Sequence, residues 1–337
     1  MSESINMAVV GAGYWGRNYV RNFEALPEAR LRWACDADAA ALERAQRCAP
    51  GAQLSTDYLE VMADEGVQAV AIATNVSTHH AIAMAALNAG KHVLVEKPMA
   101  PSVAEAEEMV ALAQRKGLTL MVGHLMLYHP AVEHLEELVA SGALGRIYYL
   151  YASRVNLGRI RDDENALWSF APHDVSLISH ILRKKPVSVS ARGRGYLRPD
   201  VADVVFLNLG FDDDTMAQIQ LSWLDPHKER RLTVVGSKKM VVFDDTHVSE
   251  KLRIYDKGFD QPPEYETYGA YLSLRDGDIN IPHIPLKEPL TAECRHFLRC
   301  VSHHEVPRSP GEQGLEVVRV LEAAEESMRN DGAPERL

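Results

Sequence analysis

Asn6-Met7-Ala8-Val9-Val10-Gly11-Ala12-Gly13-Tyr14-Trp15-Gly16-Arg17-Asn18-Tyr19-Val20 decides how the rest of the 337-residue chain is read. Met7 to Val10 is a short apolar run of the kind that forms a buried strand in a parallel sheet. Gly11, Gly13 and Gly16 follow it. Gly11 permits a tight turn out of the strand, Gly13 lets a pyrophosphate approach the backbone, and Gly16 lets the next helix pack close to the sheet. The first turn of that helix presents N–H groups and a positive dipole end to phosphates.

Glycine turns between strands and helices are common, so the next strand has to supply context. Leu31-Arg32-Trp33-Ala34-Cys35 is apolar enough to be that strand, and it ends at Asp36. A carboxylate there can accept both ribose hydroxyls of an adenosine and repels a 2′-phosphate. Ala37 and Asp38 follow, with no arginine to receive such a phosphate. The stretch Gly11, Ala12, Gly13, Tyr14, Trp15 and Gly16, together with Asp36, is therefore read as a site for NAD rather than NADP.

Strand and helix then alternate to about residue 124, the pattern of a doubly wound parallel sheet. Helices are expected near 39–47, from Thr56-Asp57, over 78–88 and from a Ser102 cap to Lys116. Buried strands are expected over 67–73, 92–95 and 118–122. From 125 to 337 the pattern changes to helix 130–140, a long strand 147–155 and helix 175–182. Neighbouring strands follow at about 187–196, 201–211, 215–224, 231–236, 239–243 and 252–255. Short turns such as Asp212-Asp213-Asp214 imply a large, mostly antiparallel open sheet. Residues 258–289 read as an extended excursion, and helices at 291–301 and 311–328 end the chain. The fold class is α/β: a Rossmann domain over 1–124 and an α+β domain over 125–337.

Composition narrows the function. A formal net charge of −11 argues against nucleic acid or an anionic membrane as general partners. No leader or long apolar stretch stands out, which points to a cytoplasmic protein. Cys35, Cys48, Cys294 and Cys300 lack metal-type spacing and read as reduced thiols. No metal site is indicated.

Two places carry candidate chemistry. Lys97 ends a strand at the carboxyl edge of the sheet, and Pro98 keeps it out of helical geometry. Its ammonium could stabilise negative charge developing on a substrate oxygen, or pair with Glu96 at the surface. His173 follows Pro172, which reads as the start of a helix. An imidazole in a first helical turn disfavours its charged form and stays available as a proton acceptor, though a structural histidine fits the same pattern. His79 follows the strand end Thr74-Asn75 and is placed near the cofactor.

The order Gly11-Ala12-Gly13-Tyr14-Trp15-Gly16, Glu96-Lys97-Pro98, Pro172-His173-Asp174 resembles the Gfo/Idh/MocA oxidoreductase family over essentially the whole chain. The resemblance implies that Lys97 and His173 are catalytic and that the peptide before Pro98 is cis. It also implies a cofactor channel bordered by Thr74, Asn75, His79, Glu96 and Lys97. One departure is Ser169, where relatives usually carry an aspartate. Asp174 could compensate, or lysine and histidine act alone. Residues 167–173, Leu221-Ser222-Trp223-Leu224-Asp225-Pro226 and the run 234–240 look like the nucleotide-sugar branch, the UDP-N-acetylglucosamine 3-dehydrogenases. That branch implies oxidation of the sugar C3 hydroxyl to a ketone, consumed by a PLP-dependent aminotransferase in lipopolysaccharide or other cell-surface polysaccharide synthesis. Candidates for holding a nucleotide sugar are His124, Tyr128, His129, Arg154, Asn156, Arg159, Arg161 and Trp168. A homodimer or homotetramer is expected. Oxidation of a free sugar or inositol, and NAD-dependent glycoside hydrolysis, remain the alternatives.

Overall fold

In a computed structural model, the structure describes residues 4–158, 164–260, 273–285 and 287–337. The first unit begins with β1 (Ile5–Val10), α1 (Gly16–Ala25), β2 (Ala29–Cys35), α2 (Ala39–Cys48), β3 (Gln53–Ser55) and α3 (Tyr58–Ala63). It continues with β4 (Ala69–Ile72), α4 (Val76–Asn88), β5 (His92–Glu96), α5 (Val103–Lys116) and β6 (Leu120–Gly123). The strands form one parallel sheet in the order β3-β2-β1-β4-β5-β6. Met7 to Val10, Ala69 to Ile72 and Val93 to Val95 are buried, as expected for strands covered on both faces. The order reverses between β1 and β4, so ligand-binding residues belong at the carboxyl ends of these strands.

Local chemistry starts and stops the helices. Asp38 accepts the Ala40 N–H and Asp57 the Leu59 N–H, both at 2.9 Å. Ser102 accepts the Glu105 N–H at 3.3 Å while its hydroxyl reaches the Glu105 carboxylate at 3.0 Å, and Gly117 closes α5 in the left-handed region at φ 63°. Such caps contribute about 0.5–2 kcal/mol each.

The second unit opens with α6 (Pro130–Ala140), β7 (Ile147–Leu157) and α7 (Ala166–Leu182). Seven strands follow: β8 (Ser188–Arg194), β9 (Val204–Gly210), β10 (Met216–Ser222), β11 (Leu224–Gly236), β12 (Met240–Asp244), β13 (Leu252–Asp260) and β14 (Ser273–Asn280). α8 (Pro289–His303), α9 (Gly311–Arg329) and β15 (Glu335–Arg336) end the chain. The sheet order is β14-β13-β12-β11-β7-β10-β9-β8-β15; β7 and β10 run parallel and the other neighbours antiparallel. Val205, Leu207 and Leu209 on β9, with Ala217, Ile219 and Leu221 on β10, face the core. α7 lies against β10, β7 and β9. Phe206, Met216 and the stacked pair Tyr149–Tyr151 are exposed.

The structure differs from the sequence expectations in three places. Residues 287–319 belong with 1–128 and not with the second unit, which comprises 129–286 and 320–337. The reason is packing: the Thr291 hydroxyl donates to Asn22 at 2.6 Å and Arg295 binds Glu28 at 3.0 Å, fixing α8 to the start of the chain. Ser309 in turn covers the β6 edge, its carbonyl accepting the Val122 N–H at 2.9 Å. The supposed excursion 258–289 contains β14, hydrogen-bonded to a β13 that runs on to Asp260. Finally, α7 starts nine residues before the expected Val175.

Candidate active site

The three glycines serve two purposes. Gly11 sits at φ +89°, and a Cβ there would lie 2.6 Å from the Ala73 carbonyl carbon. A Cβ on Gly16 would fall 1.7 Å from the Gly11 carbonyl oxygen. Both positions are closed by the chain itself. At Gly13 no atom lies within 4 Å of a Cβ, which leaves the open approach that a pyrophosphate needs. Trp15, the N-cap residue of α1, makes no side-chain cap hydrogen bond among the described residues, so the first turn keeps the character of an anion site.

Asp36 is held in place from two sides. Its carboxylate accepts the Ala12 N–H at 2.6 Å and the Asp38 N–H at 2.9 Å. Each oxygen retains lone-pair capacity for a ribose hydroxyl, and the residues present fit NAD. Asp36→Asn keeps the side chain's shape but removes its charge. It is expected to weaken NAD by roughly tenfold, given the ~1.5–3 kcal/mol of a hydrogen bond to a charged group, and to narrow the preference over NADP. Titration of both cofactors against protein fluorescence checks this.

Glu96 ends β5, Lys97 follows it directly, and the Lys97–Pro98 peptide is cis. Lys97 is half-buried. The Glu96 carboxylate is buried in the first unit. It accepts the Tyr19 hydroxyl at 2.7 Å, the Lys97 N–H at 3.1 Å and the Trp15 indole N–H. The glycine turn is thereby tied to the strand that carries the lysine. His79 is also internal. Its Nδ1 lies 2.9 Å from the Pro98 carbonyl and its Nε2 3.1 Å from the Thr74 carbonyl. Burial lowers its pKa, aided by the Lys97 charge and against the two carbonyls. His79 thus braces the ends of β4 and β5 against each other. Thr74, half-buried, accepts from the Thr78 hydroxyl at 2.8 Å, and exposed Asn75 precedes α4.

The second unit brings together His173, Ser169, Asp174, Trp168 and Arg154. Asn165 caps α7 by accepting the Trp168 N–H at 3.1 Å, so Pro172 lies inside the helix and does not open it. His173 is therefore half-buried in mid-helix, and the helix-terminus argument for its charge state does not apply. Ser169 is buried one turn earlier and Trp168 is half-buried. Asp174 does not supply charge to the histidine: it forms a two-point pair with Arg154 at 2.7 and 3.0 Å, both side chains buried. The guanidinium offered by the sequence to a diphosphate is thus engaged by a carboxylate of its own unit. His180, two turns further along α7, lies 3.1 Å from the Glu136 carboxylate.

Three further substrate candidates are internal. Tyr128 is buried, its hydroxyl 3.3 Å from Ser309. His129 caps α6 by accepting the Ala131 N–H at 3.0 Å, and burial lowers its pKa. His124 is buried in the first unit. Asn156 stays a candidate, with a buried carbonyl oxygen that has no hydrogen-bond partner among the described residues. Arg159 and Arg161 lie outside the described residues. All four cysteines are free; burial, followed by the charge of Asp36, pushes the Cys35 thiol up to about 12. Among the described residues no group of three His, Cys, Asp or Glu side chains could hold a metal, and no helix is long and apolar enough to cross a membrane.

Sequence reasoning missed Tyr19 and Glu293. Tyr19 stands one helical turn after Trp15, which pointed to a shared face; nothing near Glu293 in the sequence links it to residue 96.

Comparisons with known proteins agree with this architecture. Residues 5–124 match the NAD-binding Rossmann domain of an oxidoreductase family, Gfo/Idh/MocA, and residues 132–242 match that family's C-terminal domain. A candidate oxidoreductase from Magnetospirillum magnetotacticum MS-1, known by crystal structure, is 34% identical with TM-score 0.80, covering 95% of this chain and 99% of its own. GenD2 from gentamicin A biosynthesis, solved in complex with NAD, is 25% identical with TM-score 0.83, covering 100% of this chain and 97% of its own. UDP-N-acetylglucosamine 3-dehydrogenase from Acidithiobacillus ferrooxidans is 28% identical over 94% of each chain.

Proposed function

Because this chain belongs to the Gfo/Idh/MocA oxidoreductase family, we propose that it oxidises the C3 hydroxyl of UDP-N-acetylglucosamine to the 3-keto sugar. The observation that carries the substrate is the likeness, along nearly the whole of both chains, to a UDP-N-acetylglucosamine 3-dehydrogenase. The chain is an NAD-dependent oxidoreductase with an NAD-binding Rossmann domain. NAD, held by the Gly11–Gly16 turn and Asp36, would supply a hydride acceptor for C3.

The chain's own residues do the rest. The turn Gly11–Gly16 and Asp36 hold the pyrophosphate and the adenosine ribose. His173 takes the hydroxyl proton as the C3–H bond breaks. Lys97 donates to the same oxygen and favours the alkoxide as it forms. Ser169 supplies no charge, so lysine and histidine carry the chemistry together. Asn156 is the candidate donor and acceptor toward the substrate. The keto product suits a PLP-dependent aminotransferase, which installs an amine at a ketone.

Purified protein given NAD and UDP-N-acetylglucosamine is expected to generate NADH absorbance, and more of it when an aminotransferase with glutamate removes the ketone. Turnover of free inositol or glucose in place of the nucleotide sugar would move the substrate to the polyol class. Release of sugar from an aryl glycoside without accumulated NADH would replace oxidation by hydrolysis.

A further inference from the structure

Behind Lys97, inside the first unit, lies a buried line of oxygens that the reaction above does not use. The Tyr19 hydroxyl is 2.7 Å from Glu96 Oε1 and 3.3 Å from Glu293 Oε2. Tyr19 and Glu293 are fully buried, Glu96 nearly so. The second oxygen of Glu293 has no hydrogen-bond partner among the described residues. Gly123 on β6 makes room for the cluster, since a Cβ there would lie 3.0 Å from the Tyr19 oxygen and 3.1 Å from Glu96 Oε1.

Counting protons orders this line. A phenol has one proton to give, and the shorter contact assigns it to Glu96. The oxygen–oxygen contact between Tyr19 and Glu293 then needs a second proton, which a neutral Glu293 carboxyl can supply. Glu96 receives three donors, from Tyr19, Trp15 and the Lys97 backbone, the surroundings of an ionised carboxylate. The charges agree. Burial raises both carboxyl pKa values, but at Glu96 it is opposed by Tyr19, the Lys97 cation and Trp15, whereas at Glu293 the charge of Glu96 adds to it and only Tyr19 opposes. The other titratable neighbours stay neutral: burial lifts both the Tyr19 phenol and the Cys294 thiol well above their usual values.

We propose that Glu293 is a positioning residue, a neutral acid that aims the Tyr19 hydroxyl at Glu96 and keeps Glu96 the ionised member of the pair. Through Glu96 it holds the Trp15 turn and the Lys97 backbone in one arrangement. The kinetic consequence rests on the dehydrogenase reading; the protonation state does not.

The test therefore has an arm that needs no turnover. Infrared difference spectra of the whole protein, parent minus Glu293→Gln, are expected to show the carbonyl band of a buried neutral carboxylic acid that does not titrate through the neutral range. A folded parent lacking that band overturns the proposal. In the second arm, Glu293→Gln, whose amide still donates to Tyr19, retains NAD affinity and the pH profile of kcat/KM. Glu293→Leu has no donor, and it is expected to bind NAD about tenfold more weakly, the loss of one hydrogen bond in a charged network, and to shift the alkaline limb of that profile. Equal behaviour of the two variants, or a Leu variant like the parent, overturns the proposal. Should Glu293→Leu fail to fold, the Gln variant and the infrared band still decide. Should the parent not oxidise UDP-N-acetylglucosamine, the substrate reading fails while the band and NAD binding continue to judge Glu293.

Discussion

His173→Asn is expected to lower kcat by about 10²–10⁴-fold, the usual contribution of a positioned general base, and to leave NAD affinity unchanged. The separation follows from where the residues sit. The turn and Asp36 that hold the pyrophosphate and the adenosine ribose belong to the first unit and His173 to the second, so the substitution touches neither of them. His173 lies in mid-helix and half-buried, away from the helix terminus that would have suppressed its charge. An imidazole can both accept and return a proton, the property a general base needs. Lys97→Met is the companion, with an expected loss of about 10²–10³-fold, the scale of removing one donor to a developing oxyanion. The proposed mechanism gives both residues the same step, and groups that act as a unit are non-additive, so the double variant is expected to fall little below the worse single one. Steady-state kcat with NAD binding measured by fluorescence checks this. A His173→Asn enzyme that keeps most of its kcat removes the imidazole from the chemistry.

The parallel sheet of the first unit was legible because its signals are local. Three glycines, a strand-ending aspartate and Glu96-Lys97-Pro98 each act within a few residues, and the parallel strands are continuous apolar runs. The start of α7 was misread because Pro172 is as acceptable at a helix start as its consequences are visible inside one. The better signal was Asn165 ahead of Ala166-Leu167, an N-cap before an apolar run. What sequence order hides is pairing at a distance. Arg154 with Asp174, His79 with two carbonyls, and Glu293 with Tyr19 are each set by packing, and each converts a residue that looks available for a ligand into one held by its neighbours. β14 was missed for a related reason: its charged, exposed face lacks the alternation of a half-buried strand, and its partner β13 defines it.

Breaking the Arg154–Asp174 pair is expected to affect stability more than any other single change in the second unit. Arg154 stands on β7, between β10 and β11 in the sheet, and Asp174 directly follows His173 on α7. The pair thus pins the histidine-bearing helix to the middle of the sheet. Asp174→Leu leaves a buried guanidinium without its counter-ion, which costs about 3–5 kcal/mol. For a unit of this size that corresponds to a fall of about 10 °C in Tm. The double variant Arg154→Met/Asp174→Leu removes both charges and is expected to recover most of the loss, since apolar replacement of a buried ion pair is often neutral. Recovery of stability should not restore activity in full. The two parallel hydrogen bonds fix the rotation of α7 about its axis, and a catalytic group misplaced by about 1 Å loses on the order of 10²-fold in rate. Thermal melts followed by circular dichroism, with kcat measured on the same samples, separate the effects. If the double variant melts like the single one, the pair does not act as a unit; if it regains full kcat, the pair supports the fold without orienting His173.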